Sequence, residues 1–204
     1  MSKYDFPLSN DYEEISSHGT ESFPIAVYEM ELTQNVLACT PLHWHKHMQF
    51  NLVTKGSISV NVNQKSYIIK ENQGIFINAS CLHSIASCQL ENATYIGINI
   101  SPGFFAGSES IIQKKYIQPF IQLPSIPSIL FDLSIPWENE ILMLLSALNQ
   151  AYISKNFGYE LSIYHMIYKI WFLIITNTSD YIDKVNVRIF EEDQRIKEML
   201  TFIH

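Results

Sequence analysis

Short stretches in which apolar and polar residues alternate recur between residues 25 and 100. Ser57–Val62 reads Ser-Ile-Ser-Val-Asn-Val, and Ala93–Ile100 ends in Ile-Gly-Ile-Asn-Ile. A period of two places successive side chains on opposite faces of a β-strand, so that one face can be buried. Turn-forming residues separate the stretches. The pattern predicts an antiparallel sandwich or barrel with strands over residues 25–32, 36–40, 43–54, 57–62, 66–69, 74–77, 83–86 and 93–100.

In the C-terminal third the apolar residues recur every three to four positions, which is the spacing of an amphipathic helix. Pro136 followed by Glu138 is typical of a helix start, because proline suits the first turn and an acid there complements the helix dipole. The first helix is predicted to run to about residue 155. A second helix over residues 159–176 is apolar nearly all round, which predicts burial on more than one side.

The last stretch of the chain, residues 187–204, is a third amphipathic segment. Ile196, Met199 and Ile203 lie at helical spacing, and no Gly, Pro or Asn follows them to end the helix. We expect this helix to continue beyond His204, so that the chain is a piece of a longer protein.

The remaining segments carry weaker patterns. Residues 1–24 are polar and mixed, and they predict an irregular arm in front of the sheet. Residues 104–136 contain four prolines, and within them residues 120–123 and 129–132 are predicted to form short strands or loops.

The most unusual stretch of the chain reads His43-Trp44-His45-Lys46-His47-Met48-Gln49-Phe50-Asn51. On a single strand, its alternate positions would place three histidines, a glutamine and an asparagine on one face. Trp44 would lie on the opposite, apolar face and is predicted to belong to the core. Three imidazoles and two amides in a row are an unusual choice for a solvated surface. The polar face is therefore predicted to line a cavity.

Charge and cysteine content argue against several classes of protein. The net charge is −7 and no run of Lys and Arg is present, so this chain is a poor candidate for binding nucleic acid by itself. The three cysteines match no metal-binding spacing, and without an export signal they predict reduced thiols in the cytoplasm. The longest apolar run, residues 161–175, is short for a membrane span and is interrupted by polar residues, so no membrane partner is expected.

The histidine stretch resembles the first cupin motif. His43 and His45 match the histidine pair of that motif, and Gly56 matches its closing glycine. Gln49 stands where the motif has a glutamate, and Leu37 stands where it has an opening glycine.

Two further blocks extend the resemblance. Residues 74–84 resemble the second cupin motif, and His83 matches the histidine near its end. Residues 195–204 resemble the first helix of an AraC-type DNA-binding domain, which carries two helix-turn-helix units. Together with the predicted helices, these blocks resemble AraC-family transcriptional regulators that have an N-terminal cupin sensor. The resemblance runs from about residue 25 to the end of the chain.

This resemblance implies an α+β fold, in which a cupin-like antiparallel β-barrel (jelly roll) precedes an α-helical dimerisation segment. In that family the barrel holds a small effector, often a sugar, and the helices pair two subunits into a homodimer. DNA would be bound only through the C-terminal domain, most of which is missing here. The implied units are an N-terminal arm (1–24), the effector-binding barrel (25–135), the helical segment (136–180), and a linker with the start of a truncated helix-turn-helix domain (181–204).

The histidines leave three interpretations open. His43, His45 and His83 could bind a divalent metal ion, although Gln49 takes the place of the expected acid ligand. They could instead hydrogen-bond an organic effector such as a carbohydrate, together with Gln49 and His47, because imidazoles and amides both donate and accept. They could also form a polar network without a ligand. We expect the organic effector and no cofactor, with the metal as the alternative.

Two functions follow from these interpretations. The expected one is a ligand-sensing and dimerising domain of a cytoplasmic transcriptional regulator, which is not an enzyme. The alternative is a stand-alone metal-dependent cupin enzyme, an oxygenase or isomerase, which needs a metal with open coordination positions. Neither motif block carries an acid placed for general acid–base catalysis, and this favours the regulator.

Other side chains complete these expectations. Those that could extend the pocket are Tyr28, Phe76, Tyr95 and Asn99. Asn78 is predicted to cap a turn, and His165 to be a satisfied core or interface histidine. The residues predicted to pack or to be chemically inert are Tyr168, Trp171, Cys81 and Cys88.

Overall fold

A computed structural model of the protein describes residues 7–32, 39–88, 92–105, 110–121 and 126–179. Within these ranges nine strands form two antiparallel sheets. The strands are β1 (Ile25–Leu32), β2 (Cys39–His43), β3 (Met48–Lys55), β4 (Ser57–Val62), β5 (Lys65–Lys70), β6 (Gly74–Ile77), β7 (His83–Ser87), β8 (Ala93–Ile100) and β9 (Ser128–Phe131). One sheet has the order β1-β8-β3-β6-β9, and the other has the order β2-β7-β4-β5.

The first eight strands pair in a nested order. β1 pairs with β8, β2 with β7, β3 with β6 and β4 with β5. This nesting is the topology of a jelly roll, and it confirms the predicted α+β fold of a cupin-like jelly roll followed by helices. In the described part of the chain the two sheets face each other without closing into one barrel.

Alternation along the central strands separates two hydrophobic cores. On β8, Tyr95 belongs to the core between the sheets, whereas Ile96 and Ile98 belong to a second core on the outer face of the five-stranded sheet. Successive side chains of a strand point to opposite faces, so one strand can serve both cores. The helices cover the outer core.

Helical segments follow β8 in the chain. They are a 3₁₀ turn (Pro102–Phe104), a π-helical segment (Gln113–Ile117), and the helices α1 (Gln118–Ile121), α2 (Pro136–Ser154) and α3 (159–179). As predicted, α2 begins at Pro136, and it ends where Lys155 adopts a left-handed conformation with a φ of 47°. None of the helices described is long and apolar enough to cross a membrane.

Most of the predicted strands are confirmed. Four have the observed bounds, one differs by one residue at one end, and one differs by one residue at each end. The strand predicted over residues 36–40 instead runs from Cys39 through Pro41 to His43. Proline is tolerated there because β2 is an edge strand, so the missing N–H is not needed for pairing.

The stretch from His43 to Asn51 is not one strand. β2 ends at His43 in the four-stranded sheet, and β3 begins at Met48 in the five-stranded sheet. The residues between them cross from one sheet to the other, so the side chains do not keep a period of two. The prediction of a single polar strand face is therefore wrong.

Two further segments differ from expectation or fall outside the structure. Phe120 lies in the helix α1 and not in a strand or loop, and its ring is fully buried in the outer core. The amphipathic stretch over residues 187–204 lies outside the described residues.

Helix α3 buries one face. Trp171 is 4% exposed and packs against Phe76 and Phe120, so its predicted packing role is confirmed. On the outer face Leu161 is 78% exposed, and His165 is exposed as well. Within one chain the predicted two-sided burial is not met, and the core interpretation of His165 is wrong.

Asn78 ties the outer layer of the fold to the end of β6. Its Oδ1 accepts a hydrogen bond from the backbone N–H of Ala79 at 2.8 Å, which confirms the predicted turn role. Its Nδ2 donates to the backbone oxygens of Phe120 and Ile126 at 3.0 and 3.1 Å. All of these groups are buried.

Replacing Asn78 with alanine is expected to lower the free energy of unfolding by about 2–4 kcal/mol, because two buried carbonyls lose their donor. Urea denaturation followed by circular dichroism measures the change. The matched control is Asn61→Ala, at a half-buried asparagine whose side chain bonds Ser84 and Ser66 near solvent. A loss at Asn78 no larger than the loss at Asn61 would contradict the assigned role.

Candidate functional site

Three histidines meet between the two sheets. His43 ends β2 and His83 begins β7, where the two are cross-strand partners with ring centroids 4.1 Å apart. His45 follows in the crossing segment, and its ring centroid lies 5.0 Å from that of His83. One nitrogen from each buried ring lies within 4.8 Å of the other two. The structure therefore brings together the three histidines that the cupin motifs indicated.

Each of these rings is oriented by a backbone carbonyl two residues away. The distances from Nδ1 to the carbonyl oxygen are 2.8, 3.0 and 2.8 Å for His43, His45 and His83. A carbonyl oxygen only accepts, so Nδ1 carries the proton, and in the neutral ring Nε2 carries a lone pair. Histidines that bind metals are commonly held by this kind of bond.

All three rings are neutral at pH 7. Burial lowers the pKa of each, that of His45 to about 4 and that of His83 well below its ordinary 6.5. Neighbouring histidines lower the pKa of His45 and of His83 further, because adjacent imidazolium charges repel each other. A neutral imidazole with an unprotonated Nε2 is the form that coordinates a metal ion. By their chemistry, the three histidines could hold one.

Gln49 faces the histidines from β3. Its Oε1 lies 3.1 Å from Nε2 of His45 and 2.9 Å from Nε2 of His83. Its amide nitrogen lies 2.9 Å from Oδ1 of Asn51. A carbonyl oxygen opposite two lone pairs is repelled by both. A half-turn of the amides of both Gln49 and Asn51 gives each ring one N–H and removes the repulsion, and so does a cation among these atoms.

The N-terminal arm adds a carboxylate that sequence reasoning missed. Glu14 is 6% exposed, and its Oε2 lies 3.0 Å from Nε2 of His18 and 3.8 Å from Nε2 of His43. Its Oε1 is buried and has no hydrogen-bond partner among the residues described. Burial raises the pKa of Glu14, but the hydrogen bond to His18 and the nearby histidines outweigh that effect and lower it. Glu14 lies far before both motif blocks in the chain, so the motif spacing does not identify it.

Backbone bonds hold this part of the arm against the crossing segment. The N–H of Glu14 donates to the carbonyl of Trp44 at 2.8 Å, and the N–H of Trp44 donates to Tyr12 at 3.0 Å. The indole N–H of Trp44 donates to the carbonyl of Asp11 at 3.0 Å. Trp44 is therefore half-buried beneath the arm, and its predicted place in the core is wrong because the crossing segment lies at the edge of the sandwich.

A cavity with about 30 Å³ of free space lies beside this cluster. Glu14, His43, His45 and Gln49 are in its lining. Among the side chains expected to extend the pocket, Tyr28, Tyr95 and Asn99 line it as well, whereas Phe76 lies in the outer core.

His47 lies outside this cavity. It lines a neighbouring groove of about 380 Å³ together with His18, whose ring centroid is 4.9 Å away. Burial lowers the pKa of His47 to about 4. His18 lines both the groove and the cavity, so it separates the two spaces.

Comparison with known proteins identifies the family. The model of the AraC-like ligand binding domain matches residues 32–151. The chain belongs to this family. Over 201 residues the chain is 28% identical to the uncharacterized HTH-type transcriptional regulator YdeC of Bacillus subtilis (strain 168), a match that covers 98% of this chain and 67% of the relative. These findings confirm the prediction of a ligand-sensing domain of an AraC-type transcriptional regulator.

Solved cupin structures resemble parts of this AraC-like domain. A cupin-like protein of Thermotoga maritima is 25% identical over 38% of this chain and 58% of its own, with a TM-score of 0.36. A variant of oxalate decarboxylase from Bacillus subtilis is 24% identical over 39% of this chain and 22% of its own, with a TM-score of 0.35. In both matches the chain spans less than two thirds of the solved protein.

Proposed function

We propose that this AraC-like domain binds a small polar effector, such as a sugar, at His43, His45 and Gln49, with His83 beneath them. Binding would be passed on to a DNA-binding domain attached beyond the described residues, in a regulator that acts in the cytoplasm. Any contact with DNA belongs to that attached domain, because this chain carries a net charge of −7.

Buried polar atoms that have no hydrogen-bond partner among the described residues support the proposal. In the part of the chain that the structure describes, Nδ2 of Asn51, Oδ1 of Asn99 and Oε1 of Glu14 are buried without a hydrogen bond. Buried polar groups in folded proteins are nearly always paired. Asn51 lies beside Gln49, and Asn99 and Glu14 line the cavity. The unpaired amide atoms of Asn51 and Asn99 beside this space suit the hydroxyl groups of a polyol, which both donate and accept.

The small size of the cavity supports a movement of the arm as part of the proposed sugar binding. A free space of about 30 Å³ has room for a water molecule or an ion, whereas pockets for organic ligands are about ten times larger. The arm forms one side of the cavity through Glu14 and His18. We propose that the effector displaces it, so that His47 in the neighbouring groove also contacts the ligand. An effector with higher affinity for the open arm shifts the balance between the two arrangements.

The helices are the proposed homodimer surface. Phe157, in the turn between α2 and α3, is fully exposed, and Leu161 and Phe172 on α3 are 78% and 59% exposed. Contiguous exposed apolar side chains commonly mark an interface, and a two-fold dimer would bury them against their copies.

A stand-alone enzyme is less well supported. The three histidines and Glu14 suit a metal, but a catalytic metal also needs an open coordination position and space for a substrate. The cavity beside the histidines has room for neither an organic acid nor a sugar while the arm is in place. We therefore propose a sensor and not an enzyme.

A thermal-shift screen with pentoses, hexoses and polyols tests the effector class. A sugar that binds is expected to raise the melting temperature in proportion to the logarithm of its concentration. The variant that combines His45→Ala with Gln49→Ala is expected to lose this shift while it remains dimeric by size-exclusion chromatography.

Gly97→Ala is the matched variant, because it keeps every side chain that is proposed to contact the effector. A Cβ at this position would lie 3.5 Å from Oδ1 of Asn51 and 3.7 Å from the ring of Tyr95, which are ordinary contacts. The fold therefore accepts it, but the methyl group takes up space in the cavity and is expected to weaken binding. A sugar-induced shift that survives both variants would contradict the proposed site.

A further inference from the structure

We propose that the N-terminal arm supplies Glu14 as the carboxylate ligand of a divalent transition-metal ion held by Nε2 of His43, His45 and His83. The inference concerns the same cavity as the proposed effector site, and it rests on that proposal only for the location of a ligand there. The fourth ligand would thus come from a segment outside the jelly roll.

The candidate ligand atoms lie near one another, at separations somewhat wider than those around a bound ion. Two ligands that are each about 2.1 Å from a metal lie roughly 3–4 Å apart. Oε2 of Glu14 lies 3.8 Å from Nε2 of His43, and the imidazole nitrogens lie within 4.8 Å of one another. A shared ion would draw the three nitrogens closer together and would require Oε2 of Glu14 to swing toward them from its place beside His43 and His18.

Two independent features of the described residues point to a cation in this place. The Nδ1–H of each histidine is held by a backbone carbonyl, so the lone pairs on Nε2 are turned toward the cluster. Oε1 of Glu14 is buried without a hydrogen-bond partner. A buried carboxylate oxygen is costly unless it is paired or coordinates a metal.

The charge of the ligand set explains why the arm would matter. Three neutral imidazoles and the amide of Gln49 bring no negative charge to a dication, and burial of an uncompensated charge is strongly unfavourable. Glu14 supplies one negative charge. Three imidazole nitrogens and one carboxylate oxygen form a set that suits Zn²⁺ or Co²⁺.

The ion would also tie the arm to the jelly roll. Other contacts also hold the arm beside the site, among them the bonds of Glu14, Tyr12 and Asp11 with Trp44 and the contact of His18 with Tyr28 of β1. A metal that binds only when Glu14 is in place stabilises that arrangement by its own binding free energy. Metal binding would then favour the arm in its place beside the site, whereas sugar binding would favour the displaced arm.

Cobalt titration of the EDTA-treated protein tests the inference, because Co²⁺ coordinated by nitrogen and oxygen absorbs visible light. The wild-type protein is expected to bind one Co²⁺ per chain. Glu14→Gln is expected to weaken the affinity about 10- to 100-fold, a loss at least as large as that for an outer-shell partner. Glu13→Gln is the matched control, since Glu13 pairs with the exposed Lys46 at the surface, and it is expected to leave the affinity unchanged.

A rescue variant separates a ligand from a merely structural residue. Gln49→Glu, combined with Glu14→Gln, returns a carboxylate to the site from β3 and is expected to restore Co²⁺ binding. Bound Co²⁺ is also expected to slow cleavage by chymotrypsin at Tyr12, which is 53% exposed, in the wild type but not in Glu14→Gln. Absence of Co²⁺ binding by the wild type, or equal affinity of Glu14→Gln and Glu13→Gln, overturns the inference.

Different experimental results would contradict the effector proposal and the metal proposal. A sugar-induced thermal shift that occurs in EDTA, without any Co²⁺ binding, overturns the metal site and supports the effector. Stoichiometric Co²⁺ binding without a shift by any sugar supports the metal site and contradicts the effector class.

Discussion

The EDTA-treated protein is expected to lose several kcal/mol of stability as the pH falls from 6.5 to 4. His45 has a pKa of about 4 in the folded protein, against 6.5 for an ordinary histidine. Between these values the unfolded chain binds a proton that the folded chain does not, so stability falls with the pH. The loss is at most about 1.4 kcal/mol per pH unit for each such histidine. Burial lowers the pKa of His43 and His83 in the same direction.

Below the ordinary pKa of a glutamate, 4.5, Glu14 adds to the loss. The pKa of its carboxyl is lowered in the folded protein, so its stabilising contribution is present above 4.5 and disappears as the pH falls further. Urea denaturation at intervals between pH 7 and pH 4 measures the combined curve.

Two separate histidine substitutions test the origin of this curve. His45→Gln removes one buried titrating group and is expected to flatten the slope between pH 6.5 and 4. His165→Gln, at an exposed histidine on α3, is the control for the loss of a histidine. Equal slopes for the wild type and His45→Gln would show that the ring of His45 does not titrate as described.

Phe76→Ala is expected to lower the free energy of unfolding by about 3–5 kcal/mol, as is typical of a large buried aromatic side chain. Phe76 is fully buried on β6. Its ring centroid lies 5.0 Å from that of Phe50, 5.8 Å from that of Phe120 and 6.2 Å from that of Trp171. The side chain therefore joins the five-stranded sheet to α1 and α3, and its removal leaves a cavity between them.

Phe172→Ala is the matched control for this prediction. Phe172 lies on the outer face of α3 and is 59% exposed, so its removal is expected to change the stability of the single chain by less than about 1 kcal/mol. Denaturation of both variants at low protein concentration makes the comparison. A loss for Phe76→Ala as small as that for Phe172→Ala would contradict the place of Phe76 in the outer core.

The alternation of residues was sufficient to predict most of the strands. A strand with one buried apolar face needs apolar residues at every second position, and Ser57–Val62 and Ala93–Ile100 show them plainly. The failures are at places where packing overrides local pattern. Phe120 is apolar in either conformation, and its place in a helix follows from its contacts with Phe76 and Trp171.

The site was predicted only in part. The motif spacing identified His43, His45 and His83, and the structure places them together. A shared strand face does not explain why His43 and His45 lie together, because His43 is the last residue of β2 and His45 lies beyond it. His47 follows at the same spacing but faces the neighbouring groove, because the chain bends before β3 begins.

The sequence by itself determined the strand and helix pattern, the jelly roll that follows from the family resemblance, and the three histidines. Only the tertiary structure decided which acid lies beside them. Glu14 reaches His43 through the pairing of the arm with Trp44, a contact between segments far apart in the chain. Periodicity reports the face of a single element, whereas a site is formed where separate elements meet, and no local pattern encodes that distance.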